Sequence, residues 1–323
     1  MNDLTKKANK VFLKNFKTTT WFERAIFLGW YCSLGDCEFC YMKTKKTKKI
    51  SKRSVESILA EAIICKNLGW KIEFLSGGYN VYENENILFL LKNICKITGE
   101  KQWLNIGALS EKDLETFKPY LKGVSGAVEC INQKIRKKVC PSKSFDDIIK
   151  MFKVCDKLKL KKSITIIIGL GETEKDIPNL IDFIKKNKIN KITFYALVPH
   201  KGTIFKKGPN ADYYSRWVSS IRINFPKIEI VAGSWINRLD EIHLLLDSGA
   251  NAITKFPAIR MFNTEHAKKI ESEAKKSNRK FLGSLTKIPK ININKEIIKL
   301  DLEKGLKIKI KLQSYLKKMS GNL

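Results

Sequence analysis

A chain of 323 residues with 43% hydrophobic and 10% aromatic side chains can bury a full core, which excludes a disordered protein and a small disulfide-stapled scaffold. No apolar run reaches the ~18 residues a membrane span needs, and lysines interrupt the first apolar positions, so we expect no membrane anchor, no secretory signal and a cytoplasmic location. The net charge of +30 comes from lysines spread over the whole chain, as in a Lys/Ile-rich low-GC composition, and only a clustering of them would argue for a nucleic-acid surface.

In chain order, residues 1–20 read as a basic leader, packed on the bottom of the fold or loose. Strands are predicted at Ala25–Trp30, Lys71–Leu75, Trp103–Gly107, Val124–Glu129, Ser163–Gly169, Lys191–Val198, Ile228–Gly233 and Ala252–Phe256. The helical patterns between and after them are Ser54–Leu68, Glu83–Ile97, Glu111–Tyr120, Phe145–Leu158, Glu174–Lys186, Ala211–Asn224, Arg238–Asp247 and Thr264–Ser277. Ser110 and Thr173 each stand three residues before an aspartate, the spacing of a capping box, and Gly249 follows an apolar helical run where a left-handed cap belongs. Eight strand–helix units predict an α/β fold, a (βα)8 TIM-type barrel over residues 21–277; a doubly wound open sheet is the alternative. Residues 278–323 break the alternation and read as a lysine-rich, basic C-terminal extension.

Eight cysteines stand at 32, 37, 40, 65, 95, 130, 140 and 155, and three of them crowd into nine residues directly after the first predicted strand. In a barrel that loop lies on the C-terminal face, where active sites are built. Three thiolates on one short loop can hold three irons of a cubane cluster and leave the fourth open to a substrate or cofactor. The rival readings are buried free thiols, or a zinc site that would need a distant fourth ligand such as Cys65, because His200, His243 and His266 form no paired motif.

Further glycine and acidic motifs follow at strand ends. Gly77 and Gly78 close the second predicted strand, where backbone can approach a ligand closely. Glu129 ends the fourth, and a carboxylate there can accept from two hydroxyls. Gly169-Leu170-Gly171-Glu172-Thr173 follows the fifth, and Leu197-Val198-Pro199-His200-Lys201-Gly202-Thr203 the sixth.

The cysteine segment resembles the C-x3-C-x2-C signature of the radical S-adenosylmethionine (SAM) superfamily, with one extra residue in the first gap and Phe39 at the aromatic position before the last cysteine. The motifs that follow, with Ala232-Gly233-Ser234 and Ser248-Gly249-Ala250-Asn251, resemble those of the biotin synthase-like group and span Cys32 to Asn251 in the same order. The resemblance implies a radical SAM enzyme with a [4Fe–4S] cluster on Cys32, Cys37 and Cys40, and S-adenosylmethionine seated by Phe39, Gly77, Gly78 and Glu129. It also implies an electron donor such as a ferredoxin or flavodoxin, and a small-molecule substrate. Tyr195, His200, Ser234, Lys255 and Arg260, at or just beyond late strand ends, are the candidates for the substrate side, with a surface role as the alternative for each.

Departures from the biotin synthase pattern are as informative. Ser234 takes the place of an arginine ligand of the auxiliary [2Fe–2S] cluster, Ile106 or Gly107 and Ser163 stand near expected cysteines, and Tyr195 replaces a substrate-binding asparagine, so biotin synthesis is not expected. Ile148 stands near the arginine that holds the SAM carboxylate, leaving Arg136, Lys143 or Lys150 as substitutes. Within the group, the chain resembles most the methanogen enzymes that build the iron-guanylylpyridinol (FeGP) cofactor of [Fe]-hydrogenase. The alternatives are a radical SAM enzyme acting on RNA, prompted by the charge, and a non-catalytic zinc- or RNA-binding protein.

Overall fold

The structure, a computed structural model, describes residues 2–44, 47–298, 300 and 305–321. Ten strands form. β1 (Thr19–Trp21) and β10 (Lys280–Leu282) make a two-stranded parallel ribbon that joins the leader to the segment after the last barrel helix. The other eight are β2 (Glu23–Phe27), β3 (Lys71–Ser76), β4 (Gln102–Asn105), β5 (Leu121–Glu129), β6 (Lys161–Ile168), β7 (Lys191–Ala196), β8 (Glu229–Gly233) and β9 (Ala252–Thr254). They pair in sequence order, all parallel, in one sheet. A single parallel bridge between Phe22 and Ile253 brings the last strand to the first, so the sheet curls into a nearly closed barrel rather than an open doubly wound sheet.

All eight predicted barrel strands are present, with shifted ends. β2 starts two residues early because Glu23, a poor strand former, is buried and held by the ammonium of Lys191. Ser110 and Thr173 both make their capping boxes, with Asp113 and Asp176, and Gly249 has the left-handed backbone of a C-terminal cap (φ 96°). The helix predicted from Arg238 is a 3-10 turn to Glu241 followed by a short helix Ile242–Asp247, because Arg238 itself departs from helical backbone.

The main core lies between sheet and helices. Val55–Leu68 is apolar nearly all round, which suits a helix covered on both sides. The sheet covers one side and the C-terminal helix Gly305–Ser320 the other, burying Ile308, Leu312 and Met319 and setting the Tyr315 hydroxyl 2.6 Å from Ser57 Oγ. The helix Asp3–Asn15 buries Ala8 and Phe12 against Ala211–Asn224 and Ile242–Asp247, and the Arg279 guanidinium lies 3.4 Å from the Phe12 ring centroid. Among the described residues no helix is long and apolar enough to cross a membrane.

The inward layer of the barrel is not wholly apolar, as a purely structural barrel core would be. Glu73 on β3 accepts from the Tyr195 hydroxyl of β7 (2.7 Å) and from the Thr254 hydroxyl of β9 (2.5 Å), all inside the ring.

Candidate active site at the barrel mouth

The loop after β2 is pinned at both ends. Ser33 N–H donates to the Tyr79 carbonyl (3.0 Å), and Glu38 N–H to the Val139 carbonyl (2.8 Å). Asp36 accepts from the Ser142 N–H at 3.0 Å. Cys32, Cys37 and Cys40 are thus carried between two walls, the turn after β3 and the segment after the helix Gln133–Val139. Gly78 explains how the first wall comes so close: a Cβ there would lie 2.3 Å from the Tyr31 carbonyl oxygen and 2.4 Å from Cys32 Cβ. Gly77 has the same need against Val81, 2.6 Å away. Gly78 therefore seats the cysteine loop, and Gly77 makes room for Val81 beside it.

Cys37 is buried while Cys32 and Cys40 are partly exposed. Burial pushes the Cys37 thiol up to about 12 against the pull of the Lys143 ammonium, and burial also raises Cys40. Thiols so placed ionise only when a cation joins them, as iron of a cluster would. Among the described residues no three such side chains already converge as ion ligands. The donor set nevertheless fits a cluster better than zinc. Cys65, the proposed fourth zinc ligand, is fully buried on the helix Val55–Leu68, where its own carbonyl accepts from Trp70 at the start of β3, the far end of the barrel. Cys130 and Cys140, by contrast, share an apolar nest with Cys37, Leu170 and Leu197, and Phe39 packs against it.

Glu129 is aimed by a bulge. The β5–β6 register shifts between Gly126 and Glu129, and Glu129 takes a left-handed backbone (φ 63°) that few non-glycine residues adopt. Its carboxylate accepts from Lys143 Nζ at 2.6 Å. Of the three substitutes for a carboxylate-binding arginine, Lys150 is exposed on a helix beside Asp147, Lys143 is taken by Glu129, and Arg136 is buried. Arg136 donates through Nε to the Val128 carbonyl and through Nη1 to the Lys143 carbonyl, and its buried Nη2 has no hydrogen-bond partner among the described residues.

The later strand ends bring four of the five substrate-side candidates together. The Tyr195 hydroxyl binds Glu73, Ser234 Oγ binds Glu241 (2.7 Å), and Lys255 Nζ lies 2.9 Å from the Ala196 carbonyl. The His200 ring meets that of Tyr41, the residue after Cys40, edge-on at 5.4 Å, and burial, with the Lys255 charge, lowers its pKa. Arg260 is exposed on the turn after β9.

Residues 29–184, the stretch holding the cysteine loop, Gly77, Gly78, Glu129 and the turn after β6, match the model of the radical SAM superfamily. The chain belongs to the radical SAM superfamily. It is accordingly an enzyme of the kind that uses a [4Fe–4S] cluster and S-adenosylmethionine. It is similar to an uncharacterized protein of Methanocaldococcus jannaschii, with 41% identity over 97% of this chain and 93% of that one. It is 25% identical to the biotin synthase of Methanococcus aeolicus over 52% of this chain and 53% of that protein, so it spans about half the length of that relative. The crystal structure of methylornithine synthase shares the fold, with a TM-score of 0.74 at 18% identity over 86% of this chain and 88% of that one.

Within this radical SAM barrel, sequence reasoning missed Glu73 and the Arg238–Glu241 pair. Glu73 had a signal: an acidic residue amid the apolar run of a predicted strand has to be paired or functional. Arg238–Glu241 had none beyond i, i+3 spacing on a predicted surface helix.

Proposed function

We propose that Cys32, Cys37 and Cys40 hold the [4Fe–4S] cluster and that the barrel mouth presents S-adenosylmethionine and a small-molecule substrate to it. One observation carries this reading: three thiols lie on a single loop, pinned on both sides, at the C-terminal end of the first barrel strand. When bound, the cluster supplies the electron that splits S-adenosylmethionine into methionine and a 5′-deoxyadenosyl radical. The chain's own share is to seat and shield. The backbone at Gly77 and Gly78 and the Phe39 ring line the cofactor's place, and Glu129 accepts from the ribose hydroxyls. Arg136 offers its unpartnered Nη2 to the methionine carboxylate, which supports the fit because a buried guanidinium N–H without an acceptor is costly. Tyr195, His200, Ser234 and Lys255 face the substrate, with Arg260 on the exposed turn after β9 as the fifth candidate, and an apolar nest around Cys37 keeps water from the reacting centre.

The electron donor we propose is a small acidic ferredoxin or flavodoxin, in keeping with the net charge of +30. The substrate we propose is a precursor of the pyridinol ring of the FeGP cofactor. In support, Ser234 stands at the place of an auxiliary-cluster ligand and Ser163 near that of another, the Tyr79 ring lies 2.7 Å from where a Cβ of Gly107 would be, and the relatives named above come from methanogens.

Anaerobic reconstitution with iron and sulfide, then incubation with S-adenosylmethionine and dithionite, tests the first reading. 5′-Deoxyadenosine is expected from the native chain and none from Cys37→Ala; zinc uptake without iron overturns it. Deleting the gene in a methanogen that carries [Fe]-hydrogenase tests the second, and unchanged FeGP content overturns that.

A further inference from the structure

Lys255 directly follows β9, and its backbone is left-handed (φ 69°), a conformation that a lysine keeps only where its surroundings enforce it. The side chain passes over the end of β8: a Cβ on Gly233 would lie 3.3 Å from Lys255 Cβ and 2.4 Å from the Tyr195 ring, so glycine keeps that path clear. It ends over β7, with Nζ 2.9 Å from the Ala196 carbonyl and 5.3 Å from the centroid of the Tyr195 ring. An ammonium from the last strand is thereby carried across two strand ends into the mouth.

That ammonium has three donors and one acceptor. Among the described residues no carboxylate lies within ion-pairing distance of it, whereas the half-buried Lys143 and the buried Lys162 and Lys191 each meet one. The acidic groups that face it are already engaged. Glu129 is held by Lys143, Glu241 by Arg238 and Ser234, and Glu73 by the hydroxyls of Tyr195 and Thr254. Its other neighbours, Arg238 and the His200 ring, add no negative charge. Lys255 is partly buried, so holding its cation with open donors costs free energy in the free protein, and an arriving anion offsets that cost.

We propose that Lys255 receives a carboxylate of the substrate, which makes the substrate a small organic acid. The assignment rests on the radical SAM reading, which puts the substrate at this mouth. A single ammonium balances one negative charge. A phosphate dianion would need a second unpaired cation, and Arg238 is spent on Glu241. Burial and the Arg238 charge lower the Lys255 ammonium to about 8, and a bound carboxylate would hold its proton on.

The test is equilibrium dialysis of cluster-loaded protein with butanoate and, as the uncharged isostere, butanamide, in 0.15 M salt (on the order of physiological ionic strength). Native protein is compared with Lys255→Gln at matched iron content. Binding to the other lysines cancels in that difference. The native chain should take up one more equivalent of butanoate than Lys255→Gln, butanamide should show no such difference, and Lys255→Arg, which keeps the charge, should retain the site. Equal butanoate uptake by native and Lys255→Gln protein overturns the proposal, as does a butanamide difference as large as that of butanoate. 5′-Deoxyadenosine from the same native preparation separates the two readings. Its formation alongside equal uptake sinks the carboxylate assignment alone, and failure to load iron or cleave S-adenosylmethionine sinks the radical SAM reading beneath it.

Discussion

Lys143 donates to Glu129 across 2.6 Å, and both side chains are about nine-tenths withdrawn from water, with Cys37 and Cys140 as further neighbours of the ammonium. Breaking one side of such a pair leaves a buried charge uncompensated. Glu129→Gln should lower unfolding stability by about 3 kcal/mol, read from anaerobic urea titration. Adding Lys143→Met should restore most of that loss, because the orphaned charge goes with it. A double-variant loss equal to the sum of the Glu129→Gln and Lys143→Met losses would show that the two residues are not coupled.

Gly78 governs how closely the cysteine loop can approach β3. Gly78→Ala should cost about 1–3 kcal/mol from overpacking and, because the displaced atoms are those of Tyr31 and Cys32, should cut iron loading to less than half of native. Gly99→Ala is the control: nothing lies within 4 Å of its Cβ, although its left-handed backbone makes it mildly unfavourable too. Iron and sulfide analysis after identical reconstitution separates local displacement at Gly78 from general instability.

Glu73 gives the fold a pH dependence of defined sign. Desolvation raises its carboxyl from 4.5 to about 7, despite the Lys191 charge and the hydroxyls of Thr254 and Tyr195. Between these values the unfolded chain has released the proton and the folded chain still holds it, so stability falls as pH rises. The penalty is absent below about 4.5, grows through the window and levels off above about 7, at roughly 3 kcal/mol. Glu73→Gln removes it. The stability of native protein relative to Glu73→Gln should therefore decline from pH 5 to pH 7.5, about the span of that window. A flat difference across chemical denaturation series would refute the assignment.

The C-terminal helix Gly305–Ser320 is the outer cover of Val55–Leu68. Tyr315→Phe removes a hydroxyl that meets Ser57 Oγ and Arg53 Nη2, and should cost about 1 kcal/mol. Ending the chain after Leu300 uncovers apolar helix surface and should lower the thermal midpoint several-fold more than Tyr315→Phe does. Differential scanning calorimetry of both, on protein of equal iron content, measures the contrast.

Strand order and helix spacing were legible because each barrel element carries its own periodicity and caps. Ser110, Thr173 and Gly249 do in the structure what their spacing implies. The cysteine loop was legible because its three thiols are neighbours in sequence. The parts that were not legible join residues far apart along the chain. Nothing local tells that Glu73 will meet Tyr195 and Thr254, or that Arg136 will be left with a donor unused. The glycine pair shows a third case: it was expected to approach a ligand, and the nearest neighbour of Gly78 is the cysteine loop itself. Likewise the helix Asp3–Asn15 lies in the segment read as a basic leader, because its lysines hide the Ala8 and Phe12 stripe that fastens it.

The single bridge between Phe22 and Ile253 also has a consequence in time. Both closing contacts, this bridge and the β1–β10 ribbon, join residues more than 230 positions apart. At a synthesis rate of about 5–20 residues per second, Cys32, Cys37 and Cys40 leave the ribosome at least ten seconds or so before β9 exists to close the ring. During that interval the cysteine loop exists without the strand that closes the ring. Ile253 then pairs beside Phe22, and the last strand meets the first.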